Sequence, residues 1–426
     1  MQAEIISVGT ELLMGQVVNS NAAMLAHKLL SLGVGCYYQQ TVGDNELRLI
    51  ESLTIASRRS DLIILTGGLG ATEDDLTKQV LAKFLKQELV LDQVQWDYIQ
   101  EYFQEQGRSV SSQDHKQALY LKDGQVFRTK QGLACGCYYQ DPATSTAYLC
   151  LPGPPSELSA MLDQGVLPFL RETYLGNQQI ESLYLNFVGI GEAELADIIQ
   201  EEVRNQTQPT IAIYAKPRHI RLRLTVSGLD LSDLKQTNQK LADKLIKKLK
   251  AYYIGSGQDW TLEAYLIERL AAHNQSLSLA ESLTAGGVMA RLASVAGASA
   301  VLKGGQVVYQ EATKAHPLGI DPAILENQGV YSKECACAMA QRSLSIYQSD
   351  FALALTGVAG PGEDQGHPAG QVFIACASKD GIVTWKELQI PARSRQYVRE
   401  LASSHSLELL KNTIEQKFAK SLSSTQ

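Results

Sequence analysis

Long apolar runs are missing from this 426-residue chain. No stretch approaches the roughly 20 apolar residues that a membrane-spanning helix needs. The opening Met1-Gln-Ala-Glu-Ile-Ile6 also lacks the basic and then apolar profile of a secretory signal, so a cytoplasmic location is expected. Cysteine is scarce and odd in number, seven residues in all, which argues against a disulfide framework. Neither Cys135/Cys137 nor Cys335/Cys337 has histidines nearby at zinc-ligand spacing, and both pairs read as buried thiols. Positive charge is not in excess either. A formal net charge of −7 argues against a chain built mainly to neutralise phosphate backbones. With 45% hydrophobic and 19% charged residues the chain reads as ordinary globular protein, long enough for two or three domains, each with its own core.

What is present is a series of strands that break at glycine and pass into helices. In Leu279-Ala-Glu-Ser-Leu-Thr-Ala-Gly-Gly-Val288 a short apolar strand, expected over 276–280, runs into a small-residue turn and then a helix. Ser282 would stand at that junction, facing free amides and the positive end of the helix dipole, which can stabilise an oxyanion. Two downstream residues could take its proton: Tyr309, ending a strand expected over 306–309, and Lys314 one helical turn later. An N-capping serine and a solvated lysine fit the same spacing. Further on, a buried strand expected over 351–355 ends in Thr356-Gly-Val-Ala-Gly-Pro-Gly362, a mouth suited to a phosphate or ribose. Arg393, Arg395 and Arg399 open the last helix.

In the amino-terminal third, strands expected over 3–8, 34–42 and 62–66 alternate with helices expected over 21–32, 45–58 and 75–85. This alternation predicts parallel βαβ units with ligands beyond the carboxyl ends of the strands. There lie Gly9-Thr-Glu11, Val42-Gly-Asp44 and Thr66-Gly-Gly-Leu-Gly70, followed by Thr72, Asp74 and Asp75. Glycines let amides approach a phosphate, and carboxylates could hold a divalent metal against it. Equally, a Gly-Gly pair makes a tight turn and paired aspartates cap a helix.

The middle of the chain begins a new pattern: a strand over 182–188, a helix over 193–203, and then Ile220, Leu222, Leu224 and Val226 alternating with Arg221, Arg223 and Thr225. A helix is expected over 240–253, with Leu241, Leu245 and Leu249 inward and Lys244, Lys247 and Lys248 outward. A small α+β domain results. Its basic surplus is slight and no Gly-x-x-Gly clamp is present, so a spacer or dimer contact is expected rather than nucleic acid binding.

These motifs together resemble the CinA family. Leu279 to Gly287, Ala296-Gly-Ala-Ser299, Gly304-Gly-Gln-Val-Val-Tyr309, Ala312-Thr-Lys314 and Thr356 to Gly362 are similar, in this order, to its C-terminal domain, over about 262–410. The resemblance implies a nicotinamide mononucleotide (NMN) deamidase without cofactor, in which Ser282 is the nucleophile, Lys314 the base and Tyr309 their bridge or orienter. It places Thr284, Gly286, Ser299, Thr356, Gly357, Arg395 and Arg399 around the substrate, the two arginines toward its phosphate. Ala285 stands where the family commonly has glycine, at a turn that favours positive φ.

Gly15-Gln-Val-Val-Asn-Ser-Asn21, Thr66 to Thr72, Asp74-Asp-Leu-Thr77 and Leu151-Pro-Gly-Pro-Pro-Ser-Glu-Leu158 resemble the amino-terminal CinA domain, which shares the molybdopterin-binding fold of molybdenum cofactor biosynthesis proteins. That implies an ADP-ribose pyrophosphatase dependent on a divalent metal (Mg, Mn or Co). Gly67, Gly68, Gly70, Thr72 and Asp44 would meet the nucleotide, and Asp75, Asp74 and Glu11 the metal. Three domains follow: an open, mostly parallel α/β sheet of molybdopterin-binding type over 1–172, an α+β K-homology-like connector over 175–255, and an α/β deamidase domain over 260–420. Small nucleotides (NMN, ADP-ribose) are the expected ligands and a homodimer the expected assembly. The family's name suggests an alternative, a binding or regulatory role with a protein partner in competence and recombination.

Overall fold

A computed structural model of the protein describes residues 1–176 and 178–423. By the density of contacts the chain divides into two compact units, Met1–Ile180 with Ser227–Leu231, and Glu181–Val226 with Ser232–Gln426. The middle domain thus shares a unit with the C-terminal domain. Among the described residues no helix is long and apolar enough to cross a membrane.

The first unit is built on a six-stranded sheet in the order Gly35–Val42, Gln2–Val8, Leu62–Thr66, Ala147–Leu151, Gly136–Gln140, Gln125–Phe127. Its first four strands run parallel and the last two antiparallel. Side chains alternate across a strand, and here both faces are covered. Ala3, Ile5, Leu62 and Ile64 pack with Leu25 and Leu29 of the helix Ser20–Ser31. Ile6, Val8, Ile63 and Leu65 face the other way, onto Leu49 and Leu53 of Glu46–Ala56 and Leu81 of Thr77–Leu85. Each such side chain, fully buried, contributes about 1.5–3 kcal/mol. The helix expected from residue 75 begins at Thr77 without a side-chain cap, so Asp74 and Asp75 are not helix caps. The Thr77 hydroxyl instead donates to the Gly67 carbonyl at 2.8 Å and ties the glycine loop to the helix.

In the second unit a four-stranded sheet, ordered Thr210–Lys216, His219–Gly228, Gln179–Val188, Tyr253–Ser256, carries the helix Leu231–Lys248. That helix starts earlier than expected and stops at Lys248, and Tyr253 opens a strand instead of closing the helix. The helix expected over 193–203 is two short ones, Glu192–Ile198 and Gln200–Arg204, meeting at Ile199. Lys244, Lys247 and Lys248 are exposed, as expected, and Lys244 and Lys248 also pair within the domain. These two converge at 3.0 and 2.7 Å on the buried Glu202. Burial opposes its charge, but the two lysines hold its carboxyl down to about 2. The arginine-bearing strand face is likewise engaged internally: Arg221 Nε donates to Asn186 at 3.1 Å and Arg223 Nε to Ser182 at 3.2 Å.

The C-terminal part of this unit holds a five-stranded mixed sheet in the order Leu302–Val307, Leu277–Glu281, Phe351–Gly357, Gln371–Ser378, Val383–Gln389. Leu277–Glu281 runs parallel to both neighbours, with Leu279 beside Leu353 and Ala280 beside Ala354. The leucine face packs on Leu266 and Leu270 of Leu262–Ala272 and on Leu407 and Leu410 of the terminal helix Arg395–Ser423. On the opposite face Ala280, Ala354, Ala375 and Ala377 are small, which lets the helix Lys333–Tyr347 settle close through Ala336, Met339 and Ala340. Ser282 emerges at the carboxyl edge of this sheet. Its amide donates to Leu355 O at 3.0 Å, while the Val308 amide donates to Glu281 O at 2.8 Å, so the junction is gripped from both sides.

Candidate active site

Two of the residues singled out from sequence meet directly. Lys314 Nζ lies 3.1 Å from Ser282 Oγ, and it also donates to the backbone carbonyls of Val308 at 3.0 Å and Tyr309 at 3.4 Å. The short helix Glu311–Ala315 follows the strand Leu302–Val307 closely enough to turn the lysine back under the sheet edge. Lys314 is 1% exposed and Ser282 4%, so Lys314 is no solvated surface lysine. Burial lowers the Lys314 pKa from its ordinary value; Cys335 and Glu311 pull weakly the other way. Among the described residues no carboxylate pairs with its ammonium. A buried amine without a counter-ion is easily held neutral.

The loop after Ser282 is fixed by a residue that the motif reading passed over. Glu281 is 2% exposed, and its two carboxyl oxygens accept from the amides of Val288 at 3.1 Å and Met289 at 2.8 Å, at the start of the helix Gly287–Ala293. This corrects the expectation that the helix N-terminus faces Ser282, because Glu281 already occupies those amides. It is also the acceptor that satisfies orphan donors there, so Ser282 is not the N-cap. The signal was available: an acidic residue ends the buried strand Leu277–Glu281, with the helix Gly287–Ala293 the next element in the chain. Within the loop the Ala285 amide closes a turn on Ser282 O at 3.0 Å, whereas the amides of Leu283, Thr284 and Gly286 have no acceptor among the described residues. The Thr284 hydroxyl is buried without a partner among the described residues. Ala285 sits at φ 52, the left-handed region that its missing glycine would accept without strain.

Other expected residues are placed differently. The Tyr309 phenol does not bridge Ser282 and Lys314; the strand ends at Val307, so residue 309 lies in a turn that offers its carbonyl to the lysine and its hydroxyl to Arg395. Arg395 also donates to Gly360 O at 2.7 Å, and with Tyr309, half exposed, it forms an outward pair on the rim. Arg399 binds backbone, not an open phosphate site: Nε donates to Leu283 O at 3.0 Å and a terminal nitrogen to Thr284 O at 2.8 Å. Thr356 and Gly357 are not loop residues at a mouth. The strand runs on through them, the buried Thr356 hydroxyl donates to Val330 O at 2.7 Å, and a Cβ on Gly357 would lie 2.5 Å from Gln371 O. Ser299 is exposed on the 3-10 turn Ala298–Ala300, with no bond to this cluster.

In the first unit, Glu11, Asp44, Gly67, Gly68, Gly70, Asp74 and Asp75 line one cleft of about 720 Å³, with Lys130 and the rings of Tyr98 and Tyr102. Gly67 and Gly68 hold φ of 105 and 65, and a Cβ on Gly67 would lie 2.1 Å from Val8 O. Asn21 donates to Thr66 Oγ1 at 3.1 Å and to Gly153 O at 2.6 Å, while its Oδ1 is buried without a partner. The acidic residues do not converge as a metal set. Asp44 Oδ2 accepts from the amide and hydroxyl of Thr10, each at 2.8 Å. Asp75 Oδ2 accepts from those of Thr72 at 3.0 and 2.6 Å, and the same hydroxyl meets Asp74. Glu11 folds toward Gly9. Among the described residues no three His, Cys, Asp or Glu side chains come together to hold a metal, so Asp75, Asp74 and Glu11 do not form the expected ligand set.

Comparison with known families matches three models along the chain: "Probable molybdopterin binding domain" over residues 4–172, "Damage-inducible protein CinA KH domain" over 182–255 and "CinA C-terminal domain" over 259–414. A competence-damage inducible protein of Pediococcus pentosaceus is 38% identical, covering 96% of this chain and 98% of the relative. One from Streptococcus gordonii is 41% identical, covering 97% and 99%. The crystal structure of a competence/damage inducible protein from Agrobacterium tumefaciens is 30% identical over 37% of this chain and 98% of that one, with a TM-score of 0.34.

The loop geometry sets two opposite stability changes, measurable by urea unfolding. Glu281→Ala leaves two buried amides without an acceptor and is expected to cost about 2–4 kcal/mol. Ala285→Gly removes the left-handed penalty and is expected to stabilise by about 0.5–1 kcal/mol. Equal stability of Glu281→Ala and the parent protein would contradict the capping role.

Proposed function

Since the chain belongs to the CinA family, we propose that its C-terminal domain hydrolyses the carboxamide of NMN to nicotinic acid mononucleotide and ammonia, with Ser282 as nucleophile and Lys314 as general base. The observation that carries this reading is the threefold environment of Lys314 Nζ: two carbonyls and one serine hydroxyl. Carbonyl oxygens only accept. A neutral amine has two N–H bonds and one lone pair, so when its two N–H bonds point at Val308 O and Tyr309 O the lone pair points at Ser282. Ser282 is then the one neighbour that can give it a proton.

The reaction follows from that polarity. Ser282 Oγ attacks the carboxamide carbon as its proton passes to Lys314 Nζ, and the ammonium formed is held by the same two carbonyls. The oxyanion of the tetrahedral intermediate is met by the unengaged amides of the Leu283 to Gly286 loop, which Glu281 and Arg399 hold in place. Lys314 then gives its proton to the departing nitrogen, ammonia leaves and an ester on Ser282 remains. Water, losing a proton to Lys314, cleaves the ester; nicotinic acid mononucleotide leaves and Ser282 regains its hydrogen. The unpartnered Thr284 hydroxyl and the Arg395–Tyr309 pair on the rim are the groups available to substrate.

A second reading concerns the cleft of the first unit. Its left-handed glycine loop and the orphaned Asn21 Oδ1 support binding of a phosphorylated nucleotide, ADP-ribose by family resemblance. The carboxylates are engaged separately by Thr10 and Thr72, and among the described residues they form no ligand set for a metal. Equilibrium dialysis with ADP-ribose tests it; absence of binding with and without Mg removes this reading.

For the deamidase, ammonia release from NMN is the direct assay. Ser282→Ala and Lys314→Ala are each expected to lower kcat by at least 10³-fold, roughly the scale of losing a nucleophile or its base, with NMN still bound. In the parent protein kcat/KM is expected to rise with pH as Lys314 loses its proton, levelling off below the ordinary lysine value of 10.5 because burial favours the neutral amine. Turnover retained in Ser282→Ala would reduce that residue to a binding role.

A further inference from the structure

The second unit holds another cleft, of about 610 Å³, between the strand Tyr253–Ser256, the helix Leu262–Ala272 and the terminal helix. It shares no residue with the Ser282 cluster. Lys411 is one of its walls and is an anomaly: the side chain is 8% exposed, yet its ammonium makes a single hydrogen bond among the described residues, 3.2 Å to Ala251 O. An ammonium has three donors, and leaving buried donors unmade is costly. Burial lowers its pKa, with Glu415 and Glu408 opposing only in part. The carboxylate beside it is not free to answer, because Glu415 accepts from Arg269 at 2.9 and 3.2 Å and from the Tyr265 hydroxyl. Lys250 and Asn412 stand exposed in the same cleft, and the half-buried rings of Tyr253 and Tyr265 supply apolar surface. The lining therefore offers two lysine amines that no carboxylate pairs directly among the described residues, the buried one able to take its full charge when an anion joins it, beside two aromatic rings.

We propose that this cleft binds a phosphorylated small molecule of mononucleotide size, with its phosphate on Lys411 and Lys250 and its ring system against Tyr253 and Tyr265. The volume lies within the range of small-molecule pockets. Two point charges on separate elements suit a phosphate dianion, which can satisfy both lysines and complete the donor set of Lys411. The inference stands apart from the proposed deamidase and does not depend on it.

Calorimetric titration of the full chain with AMP tests it, with adenosine and inorganic phosphate as comparison ligands. Because the cleft of the first unit and the proposed Ser282 site could also take AMP, the decisive quantity is the difference between the parent protein, Lys411→Met and Lys250→Ala. One AMP site is expected to be lost or weakened at least tenfold in Lys411→Met and weakened several-fold in Lys250→Ala, with inorganic phosphate weaker than AMP and adenosine without effect at that site. Methionine keeps the buried chain and removes the buried charge, so thermal unfolding of Lys411→Met should occur no lower than in the parent. If that variant fails to fold, the exposed Lys250 carries the test. Identical AMP stoichiometry and affinity in the parent and variants, no AMP binding to the parent, or adenosine binding as tightly as AMP at that site would overturn the proposal.

Discussion

The C-terminal domain depends on the burial of one amine. Lys314 sits under the sheet edge with two backbone carbonyls and one hydroxyl for company, and with no carboxylate paired to it among the described residues. A charged lysine would pay heavily for that position, whereas a neutral one is polarised toward the single neighbour able to donate. Burial therefore favours the same neutral form that the proposed general base requires. The fold tolerates the amine because the backbone at Val308 and Tyr309 turns its carbonyls inward.

Around that amine the chain fixes the loop after Ser282 from three directions. Glu281 joins the end of one strand to the beginning of the next helix, Arg399 reaches from the terminal helix to two loop carbonyls, and Leu355 takes the Ser282 amide. The Glu281 carboxylate and the Leu355 carbonyl satisfy backbone amides, and Arg399 satisfies the Leu283 carbonyl while adding a second donor to Thr284 O, which also accepts from the Gly287 amide. Among the described residues the amides of Leu283, Thr284 and Gly286 in that loop are left without an acceptor. Ala285 is the exception to this order, a β-carbon held where glycine would rest more easily.

Much of this was legible in the chain. The strand, small-residue turn and helix around Ser282 are local features that their spacing reveals, whereas Lys314, a candidate by spacing, was marked out as the base by the family resemblance, and its short helix Glu311–Ala315 was not expected. Tyr309 was misplaced because the strand ends two residues earlier than the apolar run suggests, which exchanges the roles of its carbonyl and phenol. Thr356 and Gly357 look like a loop, but they are paired with Phe373 and Val372, a non-local register that sequence does not express. The connector helix was drawn too late for a similar reason. Its buried Leu234 and Asn238 precede the obvious lysine-rich repeat. In the first unit the alternation of strands and helices was clear, and the cleft residues do gather; what could not be read was that threonines would claim the aspartates one by one.

The central claim is that Ser282 becomes covalently acylated because Lys314 takes its proton. Rapid-quench mass spectrometry of the parent protein turning over NMN tests this most directly. The account predicts a transient adduct on the peptide containing Ser282, equal in mass to NMN less ammonia, formed together with the first ammonia released and absent in Lys314→Ala. Steady turnover with no adduct at any time would contradict it and would make water the attacking group.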